Sequence, residues 1–148
     1  VNNFINVIKY LLEKYDFDIV LAGSKLDNSI TKIISKEISN NRLLDYCGNT
    51  TIQELIEIIR SSKFVIGNDS ASIHIAFALI VKSFCISGGN NFYRFVPYPK
   101  SLDCKYIPNT IFNFECLNND WKCRKGKRCI DRILTNDVII EIDKYLKN

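Results

Sequence analysis

Apolar positions recur every three or four residues through Phe4, Ile5, Val7, Ile8, Leu11, Leu12 and Tyr15, which predicts an amphipathic helix at the start of the chain. Residues 17–22 then form a short apolar run closed by Gly23 and Ser24, the pattern of a buried strand and its turn. Asn28 or Ser29 is placed to cap a helix carrying Ile30, Ile33, Ile34 and Ile38. The same alternation repeats. Residues 43–46 read as a strand, Gly48 and Asn49 as its turn, and Thr51 with Glu54 as a capping box opening the helix of Leu55, Ile56, Ile58 and Ile59. Phe64, Val65 and Ile66 make a third strand, with Gly67 letting the backbone turn into a helix of Ala71, Ile75, Ala76, Leu79 and Ile80. Residues 82–86 are a fourth strand, ending in Ser87, Gly88 and Gly89.

Strands that alternate with helices this regularly imply a parallel sheet, because parallel neighbours need crossover connections and right-handed crossovers lay helices on both faces. The expected fold is therefore α/β, a Rossmann-like doubly wound parallel sheet, with the loops after the strands gathered at one edge. From residue 90 to 132 the pattern changes to a loop-rich extension holding three prolines, four cysteines and the only tryptophan, with one further strand expected near residues 104–107. Thr135, Asn136 or Asp137 caps a final helix over residues 138–147, with Val138, Ile139, Ile142, Tyr145 and Leu146 on one side.

Composition adds bounds. At 148 residues, 47% hydrophobic and 24% charged, the chain has the size and balance of one globular domain, and no apolar run approaches a membrane span. Much of the excess behind the net charge of +4 lies in Lys122, Arg124, Lys125, Lys127, Arg128 and Arg132, either a solvated face or a patch drawn to an anionic ligand or lipid surface. The chain contains no Met and opens on a helix where a doubly wound domain opens on a strand, so a preceding strand is expected outside it.

Candidate chemistry centres on residues 63–80. A helix beginning at the carboxyl end of a strand presents unpaired N–H groups and about half a positive charge, which suits a phosphate. Asp69 and Ser70 are also ordinary caps, but His74 follows on the face shared by Ser70 and Ala71 in the first turn. Gly88 and Gly89 end a neighbouring strand, and Arg94 has the two-pronged donor geometry that phosphates accept. Gly23 and Ser24 mark the corresponding loop after the first strand, and neither glycine loop has a dinucleotide or P-loop spacing. Cys104, Cys116, Cys123 and Cys129 lack any C-x-x-C pair, which argues against zinc, and the apolar core with no signal sequence argues against disulfides, so reduced structural thiols are expected.

The segment VIGNDSASIHIAFAL, residues 65–79, resembles the donor-binding motif of the heptosyltransferases, glycosyltransferase family nine, in which Asp, Ser or Thr, Gly and two variable residues precede His. Asp69, Ser70 and His74 match, and Ala71 stands where the family usually has glycine. LAGSKLD at 21–27, LLDYCGNTTIQEL at 43–55 and SGGNNFYRFVPYP at 87–99 extend the resemblance in family order, and CLNNDWKC resembles a segment of some members. The resemblance implies the carboxyl-terminal, donor-binding half of a GT-B type two-domain glycosyltransferase, with the acceptor domain and general base outside this chain. It implies transfer with inversion, without a required metal or other cofactor, from a nucleotide sugar, ADP-heptose in the family, to a lipid-linked or glycan acceptor of lipopolysaccharide. It also implies a cytoplasmic location, with peripheral contact at the inner face of the membrane, and no nucleic-acid partner. Asp69, Ser70, Ala71, His74, Gly88, Gly89 and Arg94 would then hold the donor phosphates, the imidazole donating to the diphosphate. Gly23, Ser24, Asp27 and Thr50 would face the nucleoside. Alone, the chain would bind the donor and not turn it over. Two other readings stay open: an epimerase-like sugar-nucleotide enzyme of the same build, and a non-catalytic nucleotide-binding module.

Overall fold

The computed structural model describes residues 1–88, 95–98, 109–112 and 129–147. The chain divides into two compact units, Val1–Leu55 and Ile56–Asn148. The first holds helix α1 (Asn2–Lys14), strand β1 (Ile19–Leu21), a 3-10 turn (Lys25–Asp27), helix α2 (Asn28–Ile38) and strand β2 (Leu43–Asp45). Helix α3 (Ile52–Ser61) starts in this unit and ends in the next. The second holds β3 (Val65–Asn68), α4 (Ala71–Ala78), β4 (Ser83–Ile86), β5 (Asn109–Ile111), a 3-10 turn (Cys129–Arg132) and α5 (Thr135–Leu146).

In the first unit β1 and β2 pair in parallel, Ile19 opposite Leu43 and Leu21 opposite Asp45. Ile5, Ile8 and Leu12 of α1 and Ile34 of α2 are buried together against Ile19, Leu21, Ile38 and Leu43. Each such side chain taken out of water contributes roughly 2 kcal/mol, which is why the helical period of α1 decides where it lies. Its carboxyl end is held by Arg42, whose Nη1 donates to the carbonyls of Tyr15 at 2.9 Å and Phe17 at 3.4 Å and whose Nη2 donates to that of Leu12. A cation there also meets the negative end of the helix dipole. The expected capping box of α3 is present, with Glu54 accepting from both the N–H and the hydroxyl of Thr51 and returning its own N–H to that hydroxyl.

In the second unit β3, β4 and β5 form a parallel sheet in that order, Asn68 opposite Ile86 and Ile86 opposite Ile111. Successive residues of a strand face opposite sides. On one side Cys85 packs with Ile73 of α4 and with Val96, and on the other Phe84 meets Phe64 and Tyr145 of α5 edge to face at 5.8 and 6.1 Å. Ser83, Phe84 and Cys85 are all fully buried, as a central parallel strand covered on both faces must be. This is the α/β architecture that the alternating pattern predicts.

Several local expectations are corrected. Gly67 is not a turn residue but part of β3, and a side chain there would find only ordinary contact with Ile73 and Ser70. Helix α4 buries Ile73 and Ala76, and it ends at Ala78. Ile80 lies beyond it, left-handed at φ 60° and 56% exposed, because the N–H groups of Ile80 and Val81 turn back to the carbonyls of Phe77 and Ala76. The cap of α2 falls on Asp27, one residue before the expected position. The final helix begins at Thr135, with Asp137 reaching back to the N–H of Leu134 at 2.9 Å. The strand expected near residues 104–107 lies outside the described residues, and β5 follows at Asn109–Ile111.

Candidate functional site

β3 delivers the chain to Asn68 at the carboxyl edge of its sheet, and α4 starts three residues later at Ala71. The N–H groups of Ala71 and Ser72 lie in the first turn, ahead of any intrahelical acceptor, and the extended Ser70 supplies no side-chain cap to them. Among the described residues neither has a hydrogen-bond acceptor. Ser70 and Ala71 are exposed, so the helix start opens to solvent. Ala71 is helical rather than left-handed, so its methyl group in place of glycine brings no backbone strain.

Asp69 behaves differently from its neighbours. Its side chain is only 6% exposed, yet neither carboxylate oxygen has a hydrogen bond among the described residues. Nε2 of His74 stands 3.2 Å from Oδ1, an ion-pair distance without the alignment of a hydrogen bond. A buried carboxylate with uncommitted oxygens costs free energy that a hydroxyl or N–H donor from outside the chain would repay.

The other ring nitrogen of His74, Nδ1, is hydrogen-bonded to the hydroxyl of Tyr98. The imidazole thus has a partner on each side, and the ring also meets Phe95 and Tyr98 edge to face at 6.3 and 5.8 Å. Tyr98 is stacked flat on Phe77 of α4 at 3.9 Å. Burial first, then the charge of Asp69, pushes the Tyr98 phenol above its ordinary pKa, so it stays protonated. Tyr98 was not among the residues singled out from the sequence. It lies 24 positions from His74, and its only signal was its place in the fourth segment of family resemblance.

Gly88 sits two residues past Ile86, at the edge where Asn68 ends, so parallel pairing brings it to the same side of the sheet as Asp69. Gly89 and Arg94 lie outside the described residues, as do Cys104, Cys116 and Cys123. Cys129 is a free, partly buried thiol in the 3-10 turn before α5. Among the described residues no group of His, Cys, Asp or Glu is assembled that would hold a metal. A separate open groove of about 490 Å³ runs along Thr110, Ile111, Phe112, Asp137, Ile140 and Glu141 and contains none of the candidate donor-site residues.

In the first unit, Gly23, Ser24 and Asp27 come together after β1. Oδ2 of Asp27 accepts the N–H of Ser24 at 2.9 Å and its hydroxyl at 2.7 Å, closing the turn. The loop after β2 presses against it: the N–H of Gly48 donates to the carbonyl of Gly23, and the Cys47 thiol to that of Ser24 at 3.2 Å. Gly48 has φ +70°, and a Cβ there would come within 2.9 Å of the Asn28 amide. Thr50 is half-buried just beyond.

A parallel α/β sheet with a helix starting at its carboxyl edge, a buried carboxylate before it and a histidine in its first turns places the chain among the open parallel α/β proteins. Residues 1–116 match the family model described as glycosyltransferase family 9 (heptosyltransferase), and the chain belongs to that family. It is 26% identical over 123 residues to lipooligosaccharide heptosyltransferase 2 of Campylobacter jejuni serotype O:6, covering 83% of this chain and 38% of that protein. The serotype O:2 protein of the same name is 25% identical over 148 residues, covering 98% of this chain and 45% of the relative. Among solved structures, one described as E. coli ADP-heptose lps heptosyltransferase II superposes with a TM-score of 0.74 at 18% identity, over 96% of this chain and 40% of that one. The family 9 glycosyl transferase of Veillonella parvula gives 0.72 at 16% identity, over 97% and 40%. The chain therefore has the Rossmann-like fold of one part of these GT-B type transferases and spans less than half the length of the relatives it matches.

Proposed function

We propose that this chain is the donor-binding half of a glycosyltransferase that moves a sugar, in the manner of the heptosyltransferases, from a nucleotide sugar to a lipid-linked or glycan acceptor. The observation that carries the reading is the pairing of opposites at the start of α4. First-turn N–H groups suit the diphosphate, and beside them the uncommitted carboxylate of Asp69 suits sugar hydroxyls. A nucleotide sugar presents both chemistries side by side. Negative charge that grows on the departing diphosphate would be met by dipoles already in place, with Gly88 allowing close approach and Arg94 as the cationic partner.

In this reading the acceptor and the general base belong to a second domain, so the isolated chain binds donor without turnover. Family membership supports the transferase class, and the Campylobacter relatives, lipooligosaccharide heptosyltransferases by name, support a heptose donor, for which ADP is the expected nucleotide. No helix among the described residues is long and apolar enough to cross a membrane, so contact with a lipid-linked acceptor at the inner membrane face would be peripheral. Calorimetric titration of the chain with an ADP-sugar, UDP and GDP tests the reading. Weak, selective binding of the ADP-sugar is expected. Equal indifference to all three by a folded sample would sink it.

A further inference from the structure

The sequence places His74 against the donor phosphates, but the structure gives each of its ring nitrogens a neighbour within the chain. What the imidazole can offer therefore depends on which nitrogen carries the proton, and that is decided by the partner of the other nitrogen. Tyr98 is held for this purpose from two sides. Val96 beside it is fully buried among Ile73 and Cys85, which anchors the loop to α4. Its own ring lies flat on Phe77, 3.9 Å away and tilted by 14°. The hydroxyl is thereby aimed along the plane of its ring at Nδ1, and a phenol kept protonated by burial has an O–H to give.

We propose that Tyr98 is a positioning residue of the donor site: its O–H donates to Nδ1 of His74, which fixes the imidazole with its proton on Nε2, the nitrogen that stands 3.2 Å from the carboxylate of Asp69. The consequence for donor recognition rests on the donor-site reading above. His74 then serves Asp69 and not the diphosphate, which is left to the N–H groups of Ala71 and Ser72. The approach of Nε2 to Oδ1 at 3.2 Å is close enough to hold the carboxylate in place electrostatically, and its poor alignment leaves the lone pairs of Asp69 for hydroxyl donors. Such an arrangement resembles the way a carboxylate or carbonyl on one nitrogen of a histidine sets the chemistry of the other in many sites, here with a phenol as the setting group.

The chain holds a single histidine, so its imidazole can be read without assignment. In the ligand-free, 15N-labelled chain at pH 8, a two-bond proton–nitrogen correlation spectrum should show one tautomer, protonated at Nε2. Tyr98→Phe keeps the ring on Phe77 and removes only the hydroxyl, so both tautomers should become populated while the backbone amide spectrum stays that of a folded chain. Affinity for an ADP-sugar should fall roughly threefold to tenfold, the effect of one neutral hydrogen bond. A parent imidazole protonated at Nδ1 overturns the proposal whatever the variant does. So does an unchanged tautomer in Tyr98→Phe. A parent chain that shows the expected tautomer yet binds no nucleotide at all overturns the donor-site reading and, with it, the role of Tyr98 there, so the two failures are told apart.

Discussion

Asp69 and His74 face one another across the start of α4, Nε2 of the imidazole 3.2 Å from Oδ1 of a carboxylate that is 6% exposed and has no hydrogen bond among the described residues. An Asp just before a helix reads as a cap, whose loss costs about 1 kcal/mol. Here the cap position belongs to Ser70, and the carboxylate bonds to none of the first-turn N–H groups. In the donor-site reading proposed above, burial of such a group is a stability cost retained for binding.

Asp69→Asn should therefore raise stability, by about 1 kcal/mol or some 3 °C in Tm, while weakening ADP-sugar binding at least tenfold. Thermal melts and calorimetry on the same samples measure both. A loss of stability of similar size would mean that the carboxylate caps the helix or is held by its neighbours, and that its burial has a structural purpose.

Ile80 ends α4 in the left-handed region at φ 60°, with 56% of its surface exposed. Its N–H and that of Val81 close the helix on the carbonyls of Phe77 and Ala76, a position that glycine fills without strain. A β-branched residue there costs on the order of 1–2 kcal/mol, and little packing is lost on removing a half-exposed side chain. Ile80→Gly is expected to gain about 1 kcal/mol, seen as a higher urea midpoint with an unchanged slope. A midpoint at or below that of the parent would show that the side chain contributes more than its backbone angle costs.

Cys85 is fully buried in β4, and burial, with the charge of Asp69 adding to it, pushes its thiol from 9.0 up to about 12. The unfolded chain gives up this proton near pH 9 and the folded chain holds it to about 12, so between those values the folded state binds more protons. Stability that is fully present below pH 9 should then be lost as pH rises toward 12. Denaturant titrations of the parent and Cys85→Ala across this window check it: the variant's stability should fall less steeply, and parallel slopes would contradict it. At pH 8 the folded parent's Cys85 should also resist alkylation, since the thiolate is the reactive form.

Much of this chain is decided locally and can be read from the order of its residues. Alternating apolar runs and helical stripes specify the parallel α/β fold, because each element must bury a face of fixed period. The Thr51–Glu54 box is legible for the same reason: capping involves residues within one turn. So is the start of α4, where Asp69, Ser70 and His74 occur at a short spacing in a resemblance that also covers much of the chain. What the sequence alone leaves undecided depends on contacts between distant residues. Gly67 reads as a turn and is a strand, since its pairing with Cys85 across the sheet outweighs its local preference. Ile80 reads as core and points to water, because helix termination turned it outward. One of the two partners of His74 is Tyr98, 24 residues away, carried to the imidazole by a loop whose Val96 packs with Ile73 and Cys85. Local propensity sets which residues can cap, turn or pack, but whether a buried carboxylate is satisfied or left open is a property of the surrounding space, and only the tertiary structure fixes that.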